Sequence, residues 1–159
     1  MAHRGVATLA AALMLCFLVL SLFEPEFFTL HLYQSLIYLA VILLLFYSED
    51  GYAYMVGMLA PAVWLLLTYS TGLLHGGARQ VTRLLHAQKP SNHVSLMAAI
   101  TAVLSVLMIA VCAYRWKREY AGVGRWRATF LVSLGIVLVY YAILVLWFWQ
   151  RAPQALAAS

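Results

Sequence analysis

Residues 94–114 read VSLMAAITAVLSVLMIAVCAY, twenty-one positions without an Asp, Glu, Lys or Arg. A helix of that length, rising 1.5 Å per residue, covers the roughly 30 Å hydrocarbon core of a bilayer. Backbone amides in hydrocarbon find no water, so an isolated segment must pair its own N–H and C=O groups, and only the helix does so. Strands of a membrane barrel would alternate polar and apolar residues, and this stretch does not. Its small residues Ala98, Ala102, Ser105 and Cys112 lie on one helical side. There they allow the close helix approach that replaces the hydrophobic effect inside a membrane.

Four further stretches repeat the pattern: 6–23, 29–47, 52–74 and 128–149, all uncharged. The fold class is therefore all-α, a polytopic transmembrane helical bundle with about five membrane-spanning helices, and residues 1–159 form a single transmembrane domain. Composition agrees: 65% of residues are apolar and 9% charged, where a soluble domain carries about a quarter charged residues. The first stretch follows Met1-Ala2-His3-Arg4 and ends in Ser21-Leu22-Phe23-Glu24-Pro25 without a small-x-small cleavage site, which marks it as a retained span. Cys16 and Cys112 both fall inside spans and read as small packing side chains.

The formal charge is +5, but the basic residues sit between spans and accompany no groove-reading motif. Nucleic acid is thus not an expected partner; membrane lipids are, together with other membrane proteins or a second copy of the chain. With the amino terminus inside, the inner side holds Arg4, Arg115, Lys117, Arg118, Arg125 and Arg127. The outer side holds Arg79, Arg83, Lys89 and Arg151. Six against four tips the expected topology to a cytoplasmic N-terminus and an outer C-terminus. Short connections and the lack of an N-x-[ST] acceptor point to a bacterial inner membrane. Trp116, Tyr120 and Trp126 read as interface anchors, and Glu49 and Asp50 share their side, which suggests a salt bridge across that face. In the connection 75–93, residues 78–87 suit a short interfacial helix, with Val81, Leu84 and Leu85 toward lipid and Arg79, Arg83 and His86 toward headgroups. Ser48-Glu49-Asp50-Gly51 reads as a tight turn. Pro61 deprives the Gly57 carbonyl of its helical partner and predicts a bend. The first span offers Thr8, Ala11 and Ala12 as a small-residue packing face.

The spans hold none of the ionisable residues that pumps and ion-coupled carriers place at depth. No GxSxG, HExxH or paired-carboxylate motif is present, and Gly122-Val123-Gly124 is too isolated for a phosphate loop. These gaps point to a non-catalytic accessory, assembly or scaffold subunit of a membrane complex.

One polar pattern stands out. His31, Gln34, Ser35 and Tyr38 fall at i, i+3, i+4 and i+7, a stripe over two helical turns that should face the bundle. Topology adds His75, His86 and His93 to the side that holds His31. This histidine layer reads either as interfacial helix-end residues or as a cofactor site. Neutral imidazoles ligate haem iron or a transition metal, so the alternative function is a b-type haem or metal-binding electron-transfer protein. There His31 would face His75 or His93, with Arg79 or Arg83 on a propionate. A further alternative is lipid or quinone binding beside Gln34, Ser35 and Tyr38.

Overall fold

The computed structural model describes residues 3–86, 93–120 and 126–157, the side chains of 73–74, 83–85 and 148–157 excepted. It consists of α1 (His3–Phe23), a 3₁₀ turn (Pro25–Phe27), α2 (Phe28–Phe46), α3 (Asp50–Ser70), α4 (Leu73–Leu85), α5 (His93–Tyr120) and α6 (Trp126–Ala157). All but α4 are long and apolar enough to cross a membrane, and no strand occurs among the described residues. This is the all-α bundle with five candidate spans that the hydropathy pattern predicts.

The boundaries shift for identifiable reasons. The α2–α3 connection is shorter than the four-residue turn expected, because Asp50 and Gly51 already belong to α3. Ser48, at φ 62°, takes the left-handed position after α2. There the Ser48 amide donates to Leu45 O and the Glu49 amide to Leu44 O, so a Schellman closure satisfies the last carbonyls. The third span stops at Ser70, not at 74. Gly72, at φ +76°, holds the reversal that only glycine adopts without strain, and Leu73 and Leu74 become the start of α4. At the other end, α5 continues through Arg115–Tyr120, residues expected in a connection. Arg115 and Glu119 pair at i, i+4 (3.7 Å), and Trp116 stacks on Tyr120 at 4.9 Å. Both contacts support a helix beyond the apolar run.

α3 is the most enclosed span and packs against α2, α5 and α6, while α1 packs against α2 and α5. The inner side of α5 carries Ser95, Ala98, Thr101, Ser105, Met108 and Cys112; Ala98, Ser105 and Cys112 belong to the seam expected of it, while Ala102 is only half-buried. α3 meets that seam at Gly57, where a Cβ would stand 2.8 Å from Cys112 Sγ and 3.0 Å from Met108 Cε. α3 runs on through Pro61. The packing face expected of α1 is corrected. Val6, Ala10, Leu13, Phe17 and Leu20 are buried, at the alternating four-and-three spacing of a helix seam. Thr8 is exposed and donates back to Arg4 O at 2.7 Å, while Ala11 and Ala12 are only half-buried. Larger apolar side chains take the contact because α1 also packs on α2 and α3, where Phe17 meets Tyr38 and Trp64.

Two aromatic contacts tie the spans together. Phe17 stacks on Tyr38 at 5.7 Å and meets the edge of Trp64 at 5.6 Å. Tyr33 of α2 and Tyr140 of α6 stack at 4.3 Å, and each phenol donates to the other residue's backbone carbonyl. At the end of the bundle where α1 and α3 begin, His3 Nδ1 stands 3.3 Å from the Tyr54 hydroxyl and 3.4 Å from Asp50 Oδ1. Asp50 thus faces α1; residues 121–125 of the basic connection, to which the sequence suggested a bridge, lie outside the described residues.

α4 forms where an interfacial helix was expected, and it starts earlier. Val81 and Arg79 are exposed and Gln80 is buried. The side chains of Arg83, Leu84 and Leu85 lie outside the described residues, as do 87–92 and 121–125. The Gly76-Gly77 pair lets α4 lie on the first turns of α5: a Cβ on Gly77 would be 3.0 Å from Ser95 O and 3.2 Å from Ala99 Cβ. A carbonyl fixed in a helix cannot rotate away, so Gly77→Leu is expected to lift α4 and destabilise the protein by about 1 kcal/mol. Faster trypsin cleavage after the exposed Arg79 would report the lifting.

Candidate functional site

α2 starts directly after the Pro25 turn, which folds the chain between α1 and α2 back on itself and brings Glu24 over the first turn of α2. Glu24 Oε2 stands 2.9 Å from His31 Nε2, and Gln34 Oε1 lies 3.2 Å from His31 Nδ1. An ionised carboxylate only accepts, so Nε2 carries the proton given to Glu24. Nδ1 then either carries a second proton, donated to the Gln34 carbonyl, or accepts from the Gln34 amide in its turned orientation. The imidazole is held from both sides in either case. The His31 side chain is 11% exposed and that of Glu24 32%, which puts the pair at the edge of the bundle interior.

This pair closes one end of a cavity of about 540 Å³, within the size range of small-molecule sites. Phe17 and Leu20 come from α1, Phe27 and Leu30 from the turn and α2, Trp64, Leu67 and Thr68 from α3, Thr71 from the turn after it, Ser95 and Ala98 from α5, and Leu144 and Val145 from α6. Most of the wall is apolar, and the polar groups gather at the Glu24–His31 end. Thr68 donates to Trp64 O at 2.9 Å and Thr71 to Thr68 O at 3.2 Å. A second cavity of about 280 Å³, lined by Thr29, Leu30, Tyr33, Ile143, Leu144 and Trp147, shares Leu30 and Leu144 with the first. Together they form an apolar trough between α2 and α6.

The expected stripe of α2 does turn inward: His31, Ser35 and Tyr38 are buried and Gln34 is half-buried. Its members nevertheless separate. His31 and Gln34 line the cavity, while Ser35 spends its hydroxyl on Leu32 O. Tyr38 is fully buried behind Phe17. Its hydroxyl stands beside those of Tyr141 and Ser105, yet none of the three makes a hydrogen bond of good geometry among the described residues.

The other three histidines of the layer each meet a neighbour of their own. His75 is exposed and faces Tyr69 at 5.6 Å. His86 is exposed with Nδ1 at 2.7 Å from Thr82 O, and His93 is exposed beside Phe23 at 6.0 Å. Among the described residues no group of three or more His, Cys, Asp or Glu side chains is placed to hold a metal ion. From the sequence, topology places Glu24, Thr68 and Thr71 in the layer of His31 without assigning them a role, and nothing there marks Trp64 as a site residue. Glu24 had a readable signal, a carboxylate seven residues before His31 across a proline turn.

No protein family, no curated protein and no solved structure matches this chain.

Proposed function

We propose that this five-span protein binds a small amphipathic molecule of the lipid or quinone class. The head would meet Glu24, His31 and Gln34, and the chain would lie along the trough between α2 and α6. The observation that carries this reading is the cavity itself: about 540 Å³ of mostly apolar space, with a hydrogen-bonded carboxylate–imidazole pair at one end. A molecule with one polar end and one apolar end matches both parts. The reading is favoured over b-type haem because both His31 nitrogens are engaged by neighbours. In addition, His75, His86 and His93 are exposed in separate surroundings.

The wider setting we propose is a non-catalytic accessory subunit in a bacterial inner membrane, with its N-terminus cytoplasmic. That part rests on the distribution of Lys and Arg and on the short connections. Exposed apolar residues such as Leu131, Val139 and Leu146 on α6 suit lipid as well as a partner helix, so they do not decide it.

The test of binding is mass spectrometry of protein purified in mild detergent. Wild type is expected to retain one amphipathic molecule per chain, and His31→Ala to lose it. Equal retention by both proteins, or none by wild type in any membrane extract, contradicts the reading.

A further inference from the structure

We infer that the cavity selects an amphipath whose head is a protonated amine, a hydrogen-bond donor bearing positive charge, over one with an anionic head. This deepens the binding proposal above and rests on it. Apart from the Ser95 hydroxyl and the Gln34 amide, what the polar end offers a guest is acceptors. Glu24 engages His31 through Oε2, and an ionised carboxylate has further lone pairs and no donor. The hydroxyl protons of Thr68 and Thr71 go to carbonyls of α3, so both present lone pairs to the cavity. Gln34 can turn either way. The imidazole offers no spare donor, because both ring nitrogens already have partners; its part in binding is to hold the Glu24 carboxylate in place at the cavity.

Charge points the same way. Among the described residues no Lys or Arg lines the cavity, and Glu24 does. Helix dipoles do not reverse this balance: α2, α4 and α5 begin at this end of the bundle and α1, α3 and α6 end there, so positive and negative helix ends offset one another. If His31 is protonated, the Glu24–His31 pair is neutral; if not, the site carries a net negative charge. In neither state does it compensate a desolvated anion, whereas an ammonium gains a charge-assisted bond to Glu24.

The ammonium could belong to a free single-chain amine or to a lipid headgroup, and the test separates them. Protein in phosphatidylcholine nanodiscs, which lack an N–H donor in the headgroup, is titrated with dodecylamine, dodecanol and dodecanoate. The thermal unfolding midpoint is read at equal mole fraction in the membrane. The amine is expected to bind about tenfold or more tightly than the alcohol, with no saturable effect from dodecanoate, and Glu24→Gln should collapse the amine-to-alcohol ratio. Repeating the titration in phosphatidylethanolamine nanodiscs identifies the source. Competition assigns the site to a lipid ammonium and undiminished amine binding to a free amine, both in support. Equal amine and alcohol affinities, a preference for dodecanoate, or a ratio unmoved by Glu24→Gln overturns the amine preference and leaves amphipath binding standing. Absence of saturable binding by all three overturns the binding proposal, and this one with it.

Discussion

Gly57→Leu is expected to destabilise the bundle by about 2–3 kcal/mol, the largest loss of any single substitution considered. A Cβ alone at this position would be 2.8 Å from Cys112 Sγ and 3.0 Å from Met108 Cε, both inside van der Waals contact. Met108 has a flexible end that can withdraw. Cys112 has a short side chain, Cβ and Sγ, in a fully buried site, so α3 and α5 must separate to admit anything larger. Separation is costly because association within a membrane depends on close packing. A double-mutant cycle identifies the cause. Gly57→Ala should be destabilising alone and largely rescued by Cys112→Ala, with a coupling of about 1 kcal/mol in thermal unfolding. Simple additivity of the two changes would place the strain elsewhere.

His31→Ala should cost about 1–2 kcal/mol of stability. That figure lies between the 0–1 of an exposed ion pair and the 3–5 of breaking a buried one. The intermediate value follows from exposures of 11% for His31 and 32% for Glu24: the carboxylate left behind is partly wet, so its lost partner is partly replaced by water. His31→Gln, which can still donate to Glu24, should recover part of the loss. If His31→Ala and His31→Gln unfold at the same temperature, the hydrogen bond is not what His31 contributes.

The bundle was legible because one physical quantity dominates it. Uncharged runs long enough for hydrocarbon have a single backbone solution, so the existence of each span followed from residues such as 94–114. The ends were less legible, because hydropathy registers apolarity and is blind to helices that continue into water on other support. The Arg115–Glu119 pair and the Trp116–Tyr120 stack carry α5 beyond its apolar run. Gly72 cuts α3 short inside one, through backbone conformation alone.

The site was half legible for a related reason. Helical spacing placed His31, Gln34, Ser35 and Tyr38 on one side of α2, and the burial of that side followed from the cost of polar groups in lipid. Depth and rotation then separated them, leaving Tyr38 behind Phe17 and His31 at the cavity. Topology could assign His75, His86 and His93 to one end of the bundle. It could not say how they spread around that end, which depends on the rotation of each helix. The cavity takes walls from five spans, and no local pattern in any one of them encodes it.

Trp64 gives the most direct access to the central claim, that an amphipath occupies this cavity. In a variant with Trp116, Trp126, Trp147 and Trp149 replaced by Phe, the fluorescence of Trp64 is followed while a single-chain amphipath brominated along its chain is added. Occupancy predicts saturable quenching at one molecule per chain, abolished by His31→Ala. Quenching that rises in proportion to the bromine content of the membrane, without saturation and with His31→Ala unchanged, would contradict it.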